Sequence, residues 1–444
     1  MNYQAYNLKN LDKIPQYSLL KENVIHQMNV VGRVFPFKVN TYILNELIDW
    51  NTIPNDPIFR MTFPQKEMLS EDDYNAIDSV IKKDSPEEAL QQIVEKIWDK
   101  LDPFSMGQNE ASLPLYNNHG LYGLQHTYNE ILSYSPSHTQ SSQACCTFYF
   151  RWPLYAGDNA GEIAANDALQ LVNYLKAHPE VTSVLFTGGD PLFMKSGILE
   201  QYIDPLLNAG LPNLCDIRID TKMLGYWPYR FTTDSDSNEL LALFERINAS
   251  GKHLVIMANF NHPVELSTKV VKEAIKAIRN TGTTIQTQSP ILKNINDSPE
   301  IWKKMWNEQV KLGCIPYEMY IPRNTGTLHY FSVSLVNAWE IFRDAFKNVS
   351  GLCRTVRGPC MSCDFGKVQI LGINETPNGK VISLRLVQGK NPEWVMKLFL
   401  AEYNEKAIWI DELIPAFGQK QFSFEGIEHE EVELEDSYNY ALAL

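Results

Sequence analysis

The sequence predicts an α/β protein whose central part, residues 141–350, is a partial (βα)6 TIM-like barrel. From residue 146 onward, short β-rich runs alternate with segments of helical length, which is typical of βα units around a parallel sheet. Six such units can be counted, too few for a closed eight-fold barrel. The strand candidates are "CTFYF", "TSVLFTGG", "LCDIRID", "HLVIMANF", "TTIQTQS" and "IPYEMYIP".

The segments between these strands have helical periodicity and start signals. "SNELLALFERINAS" and "STKVVKEAIKAIRNTG" repeat apolar residues at three- and four-residue spacing, and each has Ser or Thr near its predicted N-cap. Because strand and helix alternate in this order, the strands are expected to run parallel. Ligands of such sheets gather at the carboxyl ends of the strands.

The segments before and after the predicted barrel do not show its alternation of strand and helix patterns. Residues 1–140 are predicted to form a helical N-terminal arm or cap, in which Pro54, Pro57 and Pro64 interrupt any periodic element. Residues 351–444 are predicted to form a C-terminal extension with a loop around Lys367, a hairpin that turns at Asn378-Gly379, and an acidic tail.

Composition excludes several classes of partner. The chain has 444 residues, 44% hydrophobic and 21% charged, with a formal net charge of −14 and no long Lys/Arg run. This argues against nucleic acid and anionic membrane surfaces, so a small molecule is the expected partner. The sequence has no apolar run of about eighteen residues and no signal-peptide pattern at its start, so it predicts a cytoplasmic protein. A homo-oligomer stays open, because nothing marks an interface.

The seven cysteines are an odd number, which favours metal-binding, reactive or buried thiols over disulfides. Cys353, Cys360 and Cys363 form C-x6-C-x2-C, and the last pair has metal-ligand spacing. The alternative interpretation is that these are small buried apolar residues.

Polar residues follow the predicted strands, as in "TGGDP", "RIDTK", "NFNHP", "TQSP" and "PRNTG". Gly188 and Gly189 would let a ligand approach the backbone, and Asp190 could accept a hydrogen bond from an ammonium group. The alternative is a tight turn in which Asp190 caps the next helix.

Ten ordered blocks carry a resemblance to a known family. They are "PNDPIFRMTFPQKEMLS", "GLQHTYNE", "FRWP", "VLFTGGDPL", "YWPYRF", "NFNHPVEL", "QSPILKNIND", "SGLCRTVRGP", "FGKV" and "QGKNPEWV". On these the chain resembles the lysine 2,3-aminomutase family of radical S-adenosylmethionine proteins. The resemblance implies a partial barrel that holds a [4Fe–4S] cluster, S-adenosylmethionine and pyridoxal phosphate, and a radical migration of an amino group.

The resemblance also implies roles for individual residues. Lys367 falls on the family's pyridoxal-phosphate lysine, and Arg151 on an arginine that pairs with the substrate carboxylate, both as candidate catalytic residues. Their alternatives are an ordinary exposed lysine and a structural ion pair. The residues implied to bind cofactor are Gly188, Gly189, Asp190, Arg218, Gln288, Ser289 and Lys367.

One departure from the family decides the functional prediction. The three places of the family's CxxxCxxC cluster loop are Ser142, Cys146 and Tyr149 in this sequence. Serine and tyrosine are poor ligands of iron–sulfur clusters, and one thiolate cannot hold a cluster. The [4Fe–4S] cluster is therefore predicted absent, and without its electron the radical reaction has no path.

Other departures concern the cofactor and the substrate. Asp220 and Asn259 stand where the family tends to have glycine and histidine, which suggests an altered adenosyl pocket. Arg323 and Cys360 stand near the places of carboxylates that hold the substrate ammonium in lysine-specific members, so lysine is an unexpected substrate.

Three functions are compatible with these residues. The first is a ligand-binding or regulatory pseudoenzyme that takes an amino-acid-like small molecule. The second is an amino-acid-modifying enzyme that uses pyridoxal phosphate or S-adenosylmethionine with polar chemistry, or with a relocated metal site at Cys146, Cys353, Cys360 and Cys363. The third is a structural dimer partner.

Overall fold

The computed structural model describes residues 1–83, 86–101, 115–116, 119–121, 123–139, 142–148, 168–323, 325–422 and 424. Fifteen strands lie in this part of the chain. They are β1 (Ala5–Tyr6), β2 (Val39–Asn40), β3 (Leu115–Tyr116), β4 (His119–Gly120), β5 (Leu124–Tyr128), β6 (Ile131–Tyr134), β7 (Ser183–Phe186), β8 (Asp216–Thr221), β9 (His253–Asn259), β10 (Thr284–Pro290), β11 (Ile315–Tyr320), β12 (Arg357–Cys363), β13 (Gly366–Thr376), β14 (Gly379–Gly389) and β15 (Leu398–Glu402).

Twelve α-helices lie in the same described ranges. They are α1 (Glu22–Val31), α2 (Pro57–Thr62), α3 (Glu71–Lys82), α4 (Glu87–Leu101), α5 (Ala168–Ala177), α6 (Ser196–Asn208), α7 (Met223–Tyr226), α8 (Ser237–Ala249), α9 (Lys269–Asn280), α10 (Pro299–Lys311), α11 (Leu328–Phe331) and α12 (Leu335–Phe346).

One large sheet organises the molecule. Its strand order is β15-β14-β13-β12-β11-β10-β9-β8-β7-β6-β5. The strands from β6 to β12 pair in parallel, whereas β5 and the strands from β13 onward pair antiparallel to their neighbours. Helices follow each of β6 to β11, so the described residues contain six βα units and confirm the α/β fold class.

The first of these strands is not the predicted one. Residues 146–148, the described part of "CTFYF", are not a strand and turn at residues 147–148, and the first parallel strand is Ile131–Tyr134. The parallel sheet therefore begins before residue 141, where the sequence analysis placed the start of the barrel, and it includes β12 beyond residue 350. The division into three domains stays a prediction.

The local sequence explains the regular units. On β8, Ile217 and Ile219 are buried, while the alternate residues are polar and half-buried, as expected for a strand with two different faces. Thr268 is the N-cap of helix α9, and its side chain accepts a hydrogen bond from Val271 N. The helix buries one side, which carries Val271, Ala274, Ile275 and Ile278.

The sheet is strongly curved. Eight inter-strand spacings separate β5 from β13, which would be about 38 Å on a flat sheet. Yet Tyr128 on β5 is close enough to Lys367 on β13 for the two to interact: burial raises the pKa of the Tyr128 hydroxyl, and the Lys367 ammonium opposes that rise. The sheet thus has a concave inner face, as in a partial barrel.

The N-terminal arm is fastened to residues 142–148, where the resemblance places the cluster loop. Cys145 N donates to Lys38 O at 2.9 Å, and Thr147 N donates to Met61 O at 2.8 Å. Thr327 Oγ1 donates to Thr147 O at 2.6 Å from the barrel side. The segment therefore links the arm to the barrel.

The C-terminal extension contains the predicted hairpin. Strands β13 and β14 pair antiparallel from Gly366 with Gly389 to Thr376 with Gly379, so the turn contains Asn378 and ends at Gly379. Gly379 has a φ of 115°, a conformation that favours glycine. Searched over the described residues, the chain has no helix of the length and apolarity that crossing a membrane would need.

Candidate functional site

The predicted GGD turn lies directly after β7, at the carboxyl edge of the sheet. Gly188 has a φ of 121°, which glycine adopts without strain. Asp190 is buried and accepts hydrogen bonds from Thr221 Oγ1 at 2.7 Å, Lys222 N at 2.9 Å and Leu192 N at 3.0 Å. Burial raises the pKa of Asp190 to about 7, although these donors oppose the rise. The carboxylate thus fixes the turns after β7 and β8.

A buried ion pair lies beside that turn. Lys222 Nζ donates to Glu265 Oε1 at 2.6 Å, to Asn261 Oδ1 at 2.6 Å and to Asn259 O at 3.1 Å. The Glu265 side chain is 0% exposed, and the ammonium also lies 4.6 Å from the ring centre of Tyr226. All three Lys222 donors are therefore used inside the protein.

Cys146 lies next to this pair. Its thiol donates to the Tyr226 hydroxyl at 3.6 Å, and burial raises the pKa of Cys146 to about 11, with the Lys222 ammonium opposing the rise. Ser142, at another cluster place, turns its hydroxyl to Ala144 O at 2.5 Å. Tyr149 lies outside the described residues. The described cluster places thus offer one thiol, and it is protonated near neutral pH.

The other predicted cofactor-binding side chains also have partners inside the protein. Arg218 Nε donates to Ser183 Oγ at 2.9 Å and lies 3.3 Å from Asp216 Oδ1. Ser289 Oγ accepts from Asn261 Nδ2 at 3.2 Å.

One hydrogen bond connects the carboxyl-terminal parts of β8 and β10. Gln288 Nε2 on β10 donates to Asp220 Oδ1 on β8 at 2.8 Å. Nearby, burial raises the pKa of the Tyr320 hydroxyl on β11, and the Asn259 side chain on β9 opposes that rise. The Asp220–Gln288 link reaches over β9, so the inner face of that strand is covered at this level.

Lys367 lies on β13, further along the inner face, and its partner Glu318 on β11 pairs with Gln288 on β10. Its Nζ lies 2.9 Å from Glu318 Oε2, and Arg357 Nη2 lies 3.5 Å from Glu318 Oε1. Burial lowers the pKa of Lys367, but the Glu318 carboxylate more than offsets that effect and the pKa is raised. Cys360 lies in the same group, and burial raises the pKa of its thiol, an effect that the Glu318 charge increases. Lys367 is therefore half-buried on the inner face, and the carboxylate favours its charged form.

The structure does not bring the four candidate metal-binding thiols together. Cys360 and Cys363 lie three residues apart on β12, so their side chains leave opposite faces of the strand. Cys353 contacts Asn307 of α10 at 3.5 Å, and Cys146 contacts Tyr226. Within the described ranges, no three His, Cys, Asp or Glu residues form a group that could hold a metal ion. The relocated metal site stays a prediction without support from this geometry.

Two other predicted residues are Arg151 and Arg323. Arg151 lies outside the described residues. Arg323 follows β11, half-buried, and its charge lowers the pKa of Tyr128 and of Cys363 against the effect of burial on both. The charges of Arg323 and Lys367 thus both act on the Tyr128 hydroxyl, and the idea that Arg323 replaces a carboxylate of lysine-specific members stays a prediction.

Sequence reasoning missed Glu318, Glu265 and the role of Lys222. Glu318 lies inside β11 rather than at its end, and its signal was a single acid in the otherwise uncharged run "IPYEMYIP". Glu265 follows "NFNHP", and its burial depends on the distant Lys222, which no local pattern shows.

Comparison with known proteins identifies the family. A protein of Aquifex aeolicus (strain VF5) named "Putative L-lysine 2,3-aminomutase" is 32% identical over 422 residues, which are 95% of this chain and 97% of that protein. The chain belongs to the lysine 2,3-aminomutase family of radical S-adenosylmethionine proteins.

More distant members of the lysine 2,3-aminomutase family agree. L-lysine 2,3-aminomutase of Escherichia coli (strain K12) is 25% identical over 61% of this chain and 74% of its own length. Glutamate 2,3-aminomutase of Clostridioides difficile (strain 630) is 26% identical over 41% of this chain and 40% of its own length. No protein-family model matches the chain. The crystal structure of Streptococcus suis SuiB aligns with 70% of this chain and 65% of its own chain. The sequence identity is 13% and the TM-score is 0.32, which is a weak structural similarity.

The family implies three groups, which the described residues fit unequally. A [4Fe–4S] cluster does not fit the described ligand places, where Cys146 is the one thiol and already contacts Tyr226. Pyridoxal phosphate fits better: Lys367 would hold it, and the group would supply an electron-withdrawing ring at the inner face. For that, Glu318 would have to give up its contact with the Lys367 ammonium, or accept its proton.

Proposed function

We propose that this aminomutase-like protein does not carry out radical amino-group migration and acts as a ligand-binding or regulatory protein for an amino-acid-like small molecule. One observation carries the proposal: the single thiol at the described cluster places donates to Tyr226, and the serine at another place bonds to Ala144 O. A cluster needs three thiolates, so these places cannot supply it.

The packing of this segment supports the proposal. Residues 142–148 are held by backbone hydrogen bonds to Lys38 and Met61 of the arm and by the Thr327 hydroxyl. A segment with these contacts joins the arm to the barrel whether or not it holds a cluster.

The experiment is iron and sulfide analysis with an absorption spectrum after anaerobic reconstitution, followed by incubation with S-adenosylmethionine and dithionite. The Escherichia coli relative, treated in parallel, is the positive control. We expect less than about a tenth of an equivalent of iron and no 5′-deoxyadenosine from this chain. About four iron atoms per chain with a brown spectrum would overturn the proposal.

Lys367 favours a second candidate, an enzyme that uses pyridoxal phosphate with polar rather than radical chemistry. Its side chain is 16% exposed, and its amine lies beside Glu318, which could accept its proton. The test is incubation with pyridoxal phosphate, reduction with borohydride and mass analysis of the labelled peptide, with Lys367→Arg as control. Labelling at Lys367 that is absent from the control would support this candidate, and labelling spread over surface lysines would exclude it.

A further inference from the structure

A hydrogen bond links Asp220 on β8 with Gln288 on β10, two strands away. Asp220 lies opposite Met257 in the pairing of β8 with β9, and Gln288 lies opposite Asn259 in the pairing of β10 with β9. Two strand spacings, about 10 Å, therefore separate the backbones that carry them. Their contact at 2.8 Å requires both side chains to extend over the inner face of β9.

The strand beneath this link is closed off. Met257 faces the same side as Asp220 in the register, and it is 3% exposed. Met257 and the Asp220–Gln288 link together cover the inner face of β8 to β10 at this level with side chains of the protein itself.

This is the region where the family resemblance implies contact with S-adenosylmethionine through Gln288 and Ser289. In this chain Gln288 is bonded to Asp220, and Ser289 to Asn261. A nucleoside placed there would have to break the hydrogen bond between Gln288 and the Asp220 carboxylate, which costs free energy because the bond is part-buried. Glycine at position 220 would leave the same space open.

We propose that the Asp220–Gln288 link closes the nucleoside subsite, so that the ligand of this barrel carries no adenosyl group. Among the described residues, another polar part of the inner face is the group of Lys367, Glu318 and Arg357, which suits a small ligand with amino, carboxylate or carbonyl groups. This inference goes beyond the proposed function, because a chain without a cluster could still bind S-adenosylmethionine.

The test is calorimetric titration with S-adenosylmethionine and with S-adenosylhomocysteine. Four proteins are compared: the unchanged chain, Asp220→Ala, Asp220→Asn and Asp216→Ala. Asp220→Ala removes the link, whereas Asp220→Asn keeps an oxygen that Gln288 can donate to. Asp216 lies on the same strand and the same face but bonds to Ser183, so its substitution is the matched control.

We expect saturable binding by Asp220→Ala alone. Its affinity should be at least about tenfold higher than that of any weak binding by the unchanged chain, Asp220→Asn or Asp216→Ala. Saturable binding by the unchanged chain as tight as that of Asp220→Ala would overturn the proposal. So would equal binding by Asp220→Asn and Asp220→Ala, since charge rather than the link would then be the cause. Asp220→Ala that is folded and still fails to bind would also overturn it.

Thermal unfolding of each variant shows whether it is folded. If Asp220→Ala is unfolded, Asp220→Ser replaces it, because a serine side chain is too short to reach over β9. The titration of the unchanged chain tests the proposal whether or not the variants fold. Iron content is measured on the same samples. A chain that contains iron but does not bind the nucleoside contradicts the proposed function alone, and an iron-free chain that binds it contradicts this inference alone.

Discussion

Lys367 Nζ lies 2.9 Å from Glu318 Oε2, and the two side chains are 16% and 4% exposed. Glu318 also lies within 3.5 Å of Arg357, so a single carboxylate faces two cations on the inner face of the barrel. Such a carboxylate keeps both cations compatible with burial, because each would otherwise carry an unpaired charge away from water.

We expect Glu318→Gln to lower the free energy of unfolding by about 3 kcal/mol, since removing one partner of a buried pair leaves the other uncompensated. The pKa of Lys367 should fall in the variant, because burial then acts without the opposing carboxylate. Urea unfolding at pH 7 measures the effect. Glu273→Gln is the control: its pair with Lys269 is exposed, and its loss should cost less than about 0.5 kcal/mol. Equal, small losses in both variants would mean that Glu318 contributes no more than a surface charge.

The Lys222–Glu265 pair should show strong coupling. We expect Lys222→Met to cost about 3–5 kcal/mol, because it leaves Glu265 buried with an unpaired charge. Lys222→Met combined with Glu265→Met should recover part of that loss, though not all, since Glu265 Oε2 also accepts from Asn261 N at 2.7 Å. A double-mutant cycle on urea unfolding gives the coupling. Additive losses would show that the two side chains do not act as a pair.

Much of the fold could be predicted because its strands carry local signals. Five of the six predicted barrel strands are present, since buried parallel strands are short apolar runs bounded by turns. The first strand was missed because "CTFYF" has more β-forming residues than "ILSY", the true strand. The amides of Cys145 and Thr147 donate to carbonyls of the distant arm, and no window of local sequence contains those partners.

Three side chains of the candidate site were named from the sequence, but their partners were not. Asp190, Gln288 and Lys367 were named from the strand ends and the resemblance, and their role in a site stays a prediction. Asp190 lies in the turn after β7, Gln288 on β10 and Lys367 on β13. What the sequence could not show is that Gln288 is bonded to Asp220 and Lys367 to Glu318. Those pairs depend on side-chain directions across two strands, which the register decides and one sequence does not.

Thiol reactivity should separate Cys215 from the other cysteines. Cys215 is the one exposed thiol among the seven, all of which are described. We expect one fast-reacting thiol per chain with Ellman's reagent at pH 8, lost in Cys215→Ser. Burial raises the pKa of Cys146 to about 11, so its thiolate is scarce at that pH and its reaction should be on the order of 100-fold slower. A second fast thiol at Cys360 or Cys363 would contradict the burial of β12.

Asp190 should make stability depend on pH in an unusual direction. Burial raises its pKa from 3.8 to about 7, so between those values the folded chain holds a proton that the unfolded chain has lost. The stability from this group is therefore fully present below about pH 4 and is lost as the pH rises through about 7. We expect the thermal unfolding midpoint of the unchanged chain to fall relative to that of Asp190→Asn over this range, because asparagine does not titrate. Measured from pH 4 to pH 8, a constant difference between the two proteins would mean that Asp190 is ionised throughout, held so by the donors from Thr221, Lys222 and Leu192.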